Sequence, residues 1–332
     1  MMNKMEKSMA ALAAVILLVT VSVSVVYAET ITFKDKLGRK VNIRLPVRRA
    51  VFFETYELTA ALGVWDRVVG ISRYAYANDL MLAVKPDIAR TIPSAGSGFD
   101  VNIETLLRFR PDLVVTWTFN PESIRFMEEK GLKVIALYPE SIAELYEAMR
   151  LQGKLFGKEK KVECCIDRMN KMFAFIGERC RKVPPQKRKK IIWLGGKQTT
   201  VSGVKGINND LIGLVGGINP GAALRERSLD VSMERIVAWN PDVIFIWGGA
   251  KYGAGDLLGS SQWRHAAAIR NKQVYKAPKW GTWSPRLAVV ALWMAMKTYP
   301  DEFRDVDFVK TADDFYRAVY GISYRSVSRI ED

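Results

Sequence analysis

Ten side chains in this 332-residue sequence have the types and spacing to do chemistry on a ligand: Tyr56, Arg73, Tyr74, Trp117, Lys197, Trp247, Tyr252, Trp280, Trp283 and Arg286. They are aromatics interleaved with cations. Ring faces stack on planar or bulky groups, and guanidinium and ammonium groups neutralise oxygen anions. The phenols of Tyr56, Tyr74 and Tyr252 add oxygens able to ligate iron. This is recognition chemistry, suited to an anionic or ring-bearing small molecule. Catalysis finds no comparable set. The one histidine, His265, sits in WRHAAAIRN, which reads as a helix, and no Ser, Cys or Asp has a recognisable histidine partner. Three cysteines and one histidine do not make a metal cluster either. Residues 248–255, GGAKYGAG, lack the spaced glycines of a dinucleotide fingerprint, and no Gly-Lys-Ser/Thr phosphate loop occurs. No catalytic residue, no protein-held metal and no cofactor are expected.

Each of these groups follows an apolar run of strand length, or lies in the loop after one. The runs are RRAVFF, RVVGIS, LVVTW and KVIALYP in the first half, and KIIWLGG, VIFIWGG and QVYKAP in the second. Continuous apolar runs are the mark of parallel strands covered on both faces, and helical stretches such as YELTAALGV and PESIRFMEEKG alternate with them. In such α/β sheets ligands bind beyond the carboxyl ends of the strands. A repeat gives the domain count. DVNIETLLRFRPDLVVTW, residues 100–117, returns as DVSMERIVAWNPDVIFIW, residues 230–247, with six of eighteen positions identical. In each copy Asn102 or Ser232 is an N-cap, Glu104 or Glu234 falls in the first helical turn, and Pro111 or Pro241 stops the helix before a buried strand. Two similar α/β lobes follow. Residues 158–183 contain no proline and place Val162, Cys165, Met169, Met172 and Phe173 at helical spacing, so one long helix is expected to join them.

The first 28 residues are set apart. MMNKMEKSM is basic, an apolar run fills residues 10–26, and Val26-Tyr27-Ala28 presents small residues for cleavage, so a removable export signal is expected. The run is slightly long, which keeps a retained anchor as the alternative. No cysteine follows the run, so a lipoprotein is not expected. This divides the chain into a signal (1–28), an N-terminal lobe (29–157), a linker helix (158–183) and a C-terminal lobe (184–332). At 49% hydrophobic and 26% charged, the composition is that of a globular chain. The formal charge of +15 suits an acidic ligand or an anionic surface. The basic residues are scattered, so nucleic acid is not an expected partner, and the dense run 187–190 reads as a solvated junction. On one helix Cys165 and Cys180 would stand roughly 22 Å apart, and adjacent Cys164 and Cys165 rarely bridge, so no disulfide is expected. A monomer is expected.

Six fragments, FKDKLGRKVNIRLPVRRAVFF, ELTAALGVWDRVVGIS, NIETLLRFRPDLVV, LIGLVGGINPGA, SMERIVAWNPDVIFIW and WRHAAAIRNKQVY, occur in an order that resembles the class III periplasmic binding proteins of ABC importers for ferric siderophores, haem and cobalamin. The likeness covers residues 31 to about 300. It implies two Rossmann-like lobes with parallel sheets, one rigid linker helix and a shallow cleft between the lobes. It implies no chemistry on the ligand, and a periplasmic location. It also implies that one exposed glutamate per lobe docks on the membrane permease, here Glu104 and Glu234. A metal chelate, foremost a ferric siderophore, is the expected ligand, since Arg73, Lys197 and Arg286 suit an anion. Cobalamin or haem is the alternative, and an exported α/β enzyme acting on an anionic substrate is the rival from another class.

Overall fold

The computed structural model describes residues 29–281 and 283–327; the expected signal, 1–28, lies outside them. The described residues open with a hairpin, β1 (Thr30–Lys34) antiparallel to β2 (Lys40–Arg44), which the sequence reading did not separate out. Asp35 holds its turn by accepting from the N–H groups of Leu37 and Arg39, and it pins the hairpin to the body by accepting from Ala136 N.

Seven expected strands are all present. β3 (Ala50–Phe52), β4 (Val68–Ile71), β5 (Leu113–Trp117) and β6 (Val134–Leu137) form a parallel sheet in the order β4-β3-β5-β6. β7 (Ile191–Leu194), β8 (Thr200–Ser202), β9 (Ser228–Asp230), β10 (Val243–Ile246) and β11 (Val274–Lys276) form a second sheet in the order β11-β10-β7-β8-β9. Here the expectation of two parallel sheets is corrected. β7, β10 and β11 are parallel, but β8 and β9 are antiparallel. The short 195–199 link between β7 and β8 allows only a hairpin, because a parallel return needs a crossover of a dozen residues or so.

The repeated phrase builds the same device twice. Asn102 accepts from Thr105 N and Ser232 accepts from Arg235 N, each capping a short helix, Ile103–Arg108 or Met233–Trp239. Before each proline the chain turns left-handed, at Arg110 (φ 45°) and Asn240 (φ 47°). The aspartate after the proline then fastens the neighbouring strand. Asp112 accepts from Arg48 N and Arg49 N just ahead of β3, and Asp242 accepts from Lys190 N just ahead of β7.

The helix expected over 158–183 spans Glu159–Cys180. It is part of a continuous core that includes Phe52 and Leu113 of the first sheet, Val162, Met169 and Ile176 of the helix itself, Ile191 and Phe245 of the second sheet, and the helix Leu287–Thr298. A separate apolar cluster covers the other face of each sheet, around Val114 in one and Ile244 in the other. All three cysteines are free, Cys164 exposed and the other two buried. His265 lies exposed in a turn rather than in a helix.

Candidate functional site

At the carboxyl ends of β5 and β6, Trp117 and Tyr138 begin a wall of rings. Phe99 reaches it from the 94–100 loop, with its centroid 4.3 Å from Trp117. Phe119 stands 5.0 Å from Trp117 and 5.2 Å from Tyr138. The second lobe contributes Trp283, 4.5 Å from Tyr138 and 6.5 Å from Trp117. These contacts are mostly edge-to-face, the geometry ring quadrupoles prefer. Arg227, also from the second lobe, lies 3.7 Å over the Tyr138 ring and pairs with Glu140 at 3.2 Å. Phe99 and Phe119 are half exposed, so the wall is open to solvent. Gly98 allows the close approach, since a Cβ there would fall 2.2 Å from Trp117 Nε1. That indole N–H is buried without a hydrogen-bond partner.

β3 ends beside this wall in Phe53-Glu54-Thr55-Tyr56, where Thr55 takes a left-handed φ of 55°. Burial raises the Glu54 carboxyl to about 7; the nearby Glu57 charge adds to this, and the Thr55 N–H it accepts opposes it. Glu54 also acts electrostatically on Tyr56 and Tyr138. Burial pushes the Tyr56 phenol upward, so it stays neutral.

The remaining expected site residues divide into three groups. Arg73 pairs with Asp100 and lies over Tyr74, which is half exposed; in the other lobe Lys197 pairs with Asp230 at 2.8 Å. Asp100 and Asp230 are the first residues of the two repeated phrases, so the repeat also sets a carboxylate against a strand-end cation in each lobe. Trp247 is half exposed, its ring over Gly249, whereas the Tyr252 hydroxyl is spent on the carbonyls of Gly195 and Lys197. Arg286 and Trp280 are corrections. Arg286 is fully enclosed, donating to Asp79 at 2.8 and 2.9 Å, to Glu57 at 3.1 Å and to the Tyr316 hydroxyl at 2.8 Å, and lying 4.0 Å over Trp280. Trp280 is buried and donates to Asp79, and Gly281 N donates to Glu57. A buried guanidinium needs counter-charges, and the first lobe supplies them. The pair ties the lobes together from the interior, where neither side chain is exposed.

Phe99, Tyr138, Glu140 and Arg227 were not anticipated. Tyr138 lies within KVIALYP, directly after the last residue of β6, and the strand-end rule would have found it. Arg227 precedes a short exposed strand and carries no such signal. Among the described residues no group of three or more His, Cys, Asp or Glu could hold a metal ion.

A family model described as periplasmic binding protein matches residues 50–279. The chain is 25% identical over 323 residues to the molybdate-binding protein MolA of Haemophilus influenzae, covering 88% of this chain and 91% of that one. It is 24% identical over 261 residues to the iron(3+)-hydroxamate-binding protein FhuD of Bacillus subtilis, covering 75% and 79%. Among solved structures it is similar to Helicobacter pylori CeuE with Ni(II) bound, at 30% identity and a TM-score of 0.79, over 89% of this chain and 98% of that one.

Proposed function

The chain belongs to the periplasmic binding protein family, and on that premise we propose that its ring wall receives a metal chelate, a ferric siderophore being the best fit. Members of the family bind transported ligands for the permease of an ABC importer; they are not enzymes and carry no cofactor. They work in the periplasm or outside the cell. Export through residues 1–28, a monomeric state and the lobe boundaries at 157 and 184 belong to the same proposal.

The observation that carries the ligand reading is the wall itself. Five rings from two lobes, with the Arg227 guanidinium paired to Glu140 among them, offer stacking area, and Glu54 at the end of β3 adds a carboxyl that burial keeps partly neutral. A bare oxyanion asks for converging N–H donors; rings of this extent ask for an organic surface. The absence of a group of three or more His, Cys, Asp or Glu among the described residues supports a metal that arrives with ligands of its own. FhuD, named for an iron(3+)-hydroxamate, and the Ni(II)-bound CeuE structure support a metal-bearing ligand; MolA, named for molybdate, supports the rival oxyanion.

Tryptophan fluorescence of the full chain separates them. Ferric catecholate, ferric hydroxamate and ferric citrate would be titrated beside molybdate, cobalamin and haem. Saturable quenching by a ferric chelate recovered unchanged is expected. Saturable binding of molybdate, cobalamin or haem with none of a ferric chelate would overturn the siderophore reading, and turnover of the ligand would overturn the binding-protein reading altogether.

A further inference from the structure

Two unfavourable features meet beside Glu54. Thr55, with φ at 55°, is the only β-branched residue in the left-handed region among the described residues. Such a residue persists there only where its surroundings hold it. Gln152, fully buried on the helix Ile142–Phe156, has an Oε1 with no hydrogen-bond partner among the described residues. Packing alone would be served better by an apolar side chain of similar volume. The two features are joined, because Gln152 Nε2 donates to Thr55 Oγ1 at 2.7 Å. Thr55 Oγ1 donates in turn to the Glu54 carbonyl at 2.8 Å, and Thr55 N donates to Glu54 Oε1 at 3.1 Å. A hydroxyl has a single hydrogen, and this one goes to Glu54 O. Toward Gln152 the oxygen can only accept, so the amide must turn its NH2 to Thr55 and leave its own oxygen unmatched.

We propose that Gln152 is a positioning residue of the ring wall, acting through Thr55 to fix where the Glu54 carboxyl stands. Were Thr55 to relax to a negative φ, the Glu54–Thr55 peptide would turn, and with it the N–H that Glu54 Oε1 accepts. The helix carrying Gln152 is itself anchored at both ends. Phe156 packs on Phe52 of β3, with ring centroids 5.9 Å apart. At the other end Ile142 N donates to Asp210 of the second lobe at 2.8 Å, two residues after Glu140, the partner of Arg227. One helix therefore registers both polar parts of the wall, the Arg227–Glu140 pair and Glu54, against the same frame. Side chains that lock a binding group from behind decide how closely it keeps its productive geometry. This role rests on the reading of the ring wall as the ligand site.

Gln152→Met nearly keeps the volume and removes the donor, while Thr55→Gly takes a left-handed φ without support. In the free full chain, labelled with carbon-13 at the glutamate carboxyls, the Glu54 signal is the one lost in Glu54→Gln. Gln152→Met should move that signal, and the same substitution in a Thr55→Gly background should leave it in place. Binding would be read by tryptophan quenching with ferric catecholate, ferric hydroxamate and ferric citrate. A chelate that binds the parent should bind Gln152→Met about three- to tenfold more weakly, the loss of one hydrogen bond, with melting little changed. In the Thr55→Gly background the methionine substitution should cost less than about twofold. An unmoved Glu54 signal in Gln152→Met would overturn the positioning role without any ligand. Loss of folding in both backgrounds would mark Gln152 as a packing residue and overturn it too. A moved signal with unchanged affinity, where Trp283→Ala still weakens binding, would overturn the role in recognition and spare the wall. If Trp283→Ala also bound like the parent, or no ferric chelate bound, the ring-wall reading would fall and this role with it.

Discussion

Glu54 is a carboxylic acid held at the edge of neutrality, and its proton should be readable in both stability and binding. Burial is the main cause of its rise from the usual 4.5 to about 7. Between those values the folded protein keeps a proton that the unfolded chain releases, so stability is fully present below the lower value and is lost as pH rises through the upper one. The loss is up to about 3 kcal/mol. Denaturant melts near pH 5 and near pH 8 should show it in the parent and not in Glu54→Gln. An anionic chelate against the wall favours the protonated acid further, so its affinity should fall as pH climbs through neutrality, and the glutamine variant should flatten that slope. The two kinds of cation near the tryptophans separate just as clearly. Arg286→Ala strands Glu57 and Asp79 in the interior, which costs about 3–5 kcal/mol of folding stability. Arg227→Ala or Trp283→Ala should instead weaken ligand binding by about 1–3 kcal/mol with melting little changed. If Arg286→Ala melted like the parent and only lost ligand, the clamp assignment would be wrong.

The helix Glu159–Cys180 decides how the elements move. One side of it, from Val162 through Cys165, Met169, Phe173 and Ile176 to Cys180, is buried. It contains no proline, and its one glycine, Gly177, falls in the last turn. Arg179 adds a bidentate tie to Asp305 and a bond to Glu302 O. Closing the lobes widely would bend a helix that has no kink residue at its centre and would open the core both lobes share. Scattering from free and chelate-loaded protein should therefore superimpose, and a marked fall in radius of gyration on loading would refute the rigid link. This helix and seven of the strands were legible in the sequence because their burial writes a period or an unbroken apolar run. β9, Ser228–Asp230, is exposed throughout and writes neither. Arg286 was misread for a different reason. A cation beside tryptophans after a strand looks the same whether it faces a cleft or an interior, and what turns it inward is Glu57 and Asp79, more than 200 positions away. The first half of the wall was within reach of the strand-end rule; Arg227 and Phe99 were not, because the loops that carry them have no periodicity.

Across the whole molecule, the repeat sets out a matched pair of carboxylates that enter no ion pair among the described residues. Glu104 and Glu234 occupy the same turn of the same capped helix in each lobe, and both are exposed. The lobes' nearby ion pairs run through Asp100 with Arg73 and Asp230 with Lys197, and leave both glutamates out. Glu234 is held ionised by its own backbone N–H and by Ser232, which lower its carboxyl. Complementing the dipole of its own helix is a local task open to each glutamate. A permease built of two similar halves would meet each glutamate with the same basic pocket, and that is the role we propose for the pair. Glu104→Ala or Glu234→Ala should leave chelate affinity in the purified protein unchanged while lowering uptake by cells. Arginine at either position should do more harm than alanine, since like charges facing across a desolvated interface cost several kcal/mol. The double arginine variant should bind ligand and deliver none of it. Normal uptake by cells carrying that variant would mean that the repeated glutamates serve only the helix starts, and that the repeat records architecture without docking.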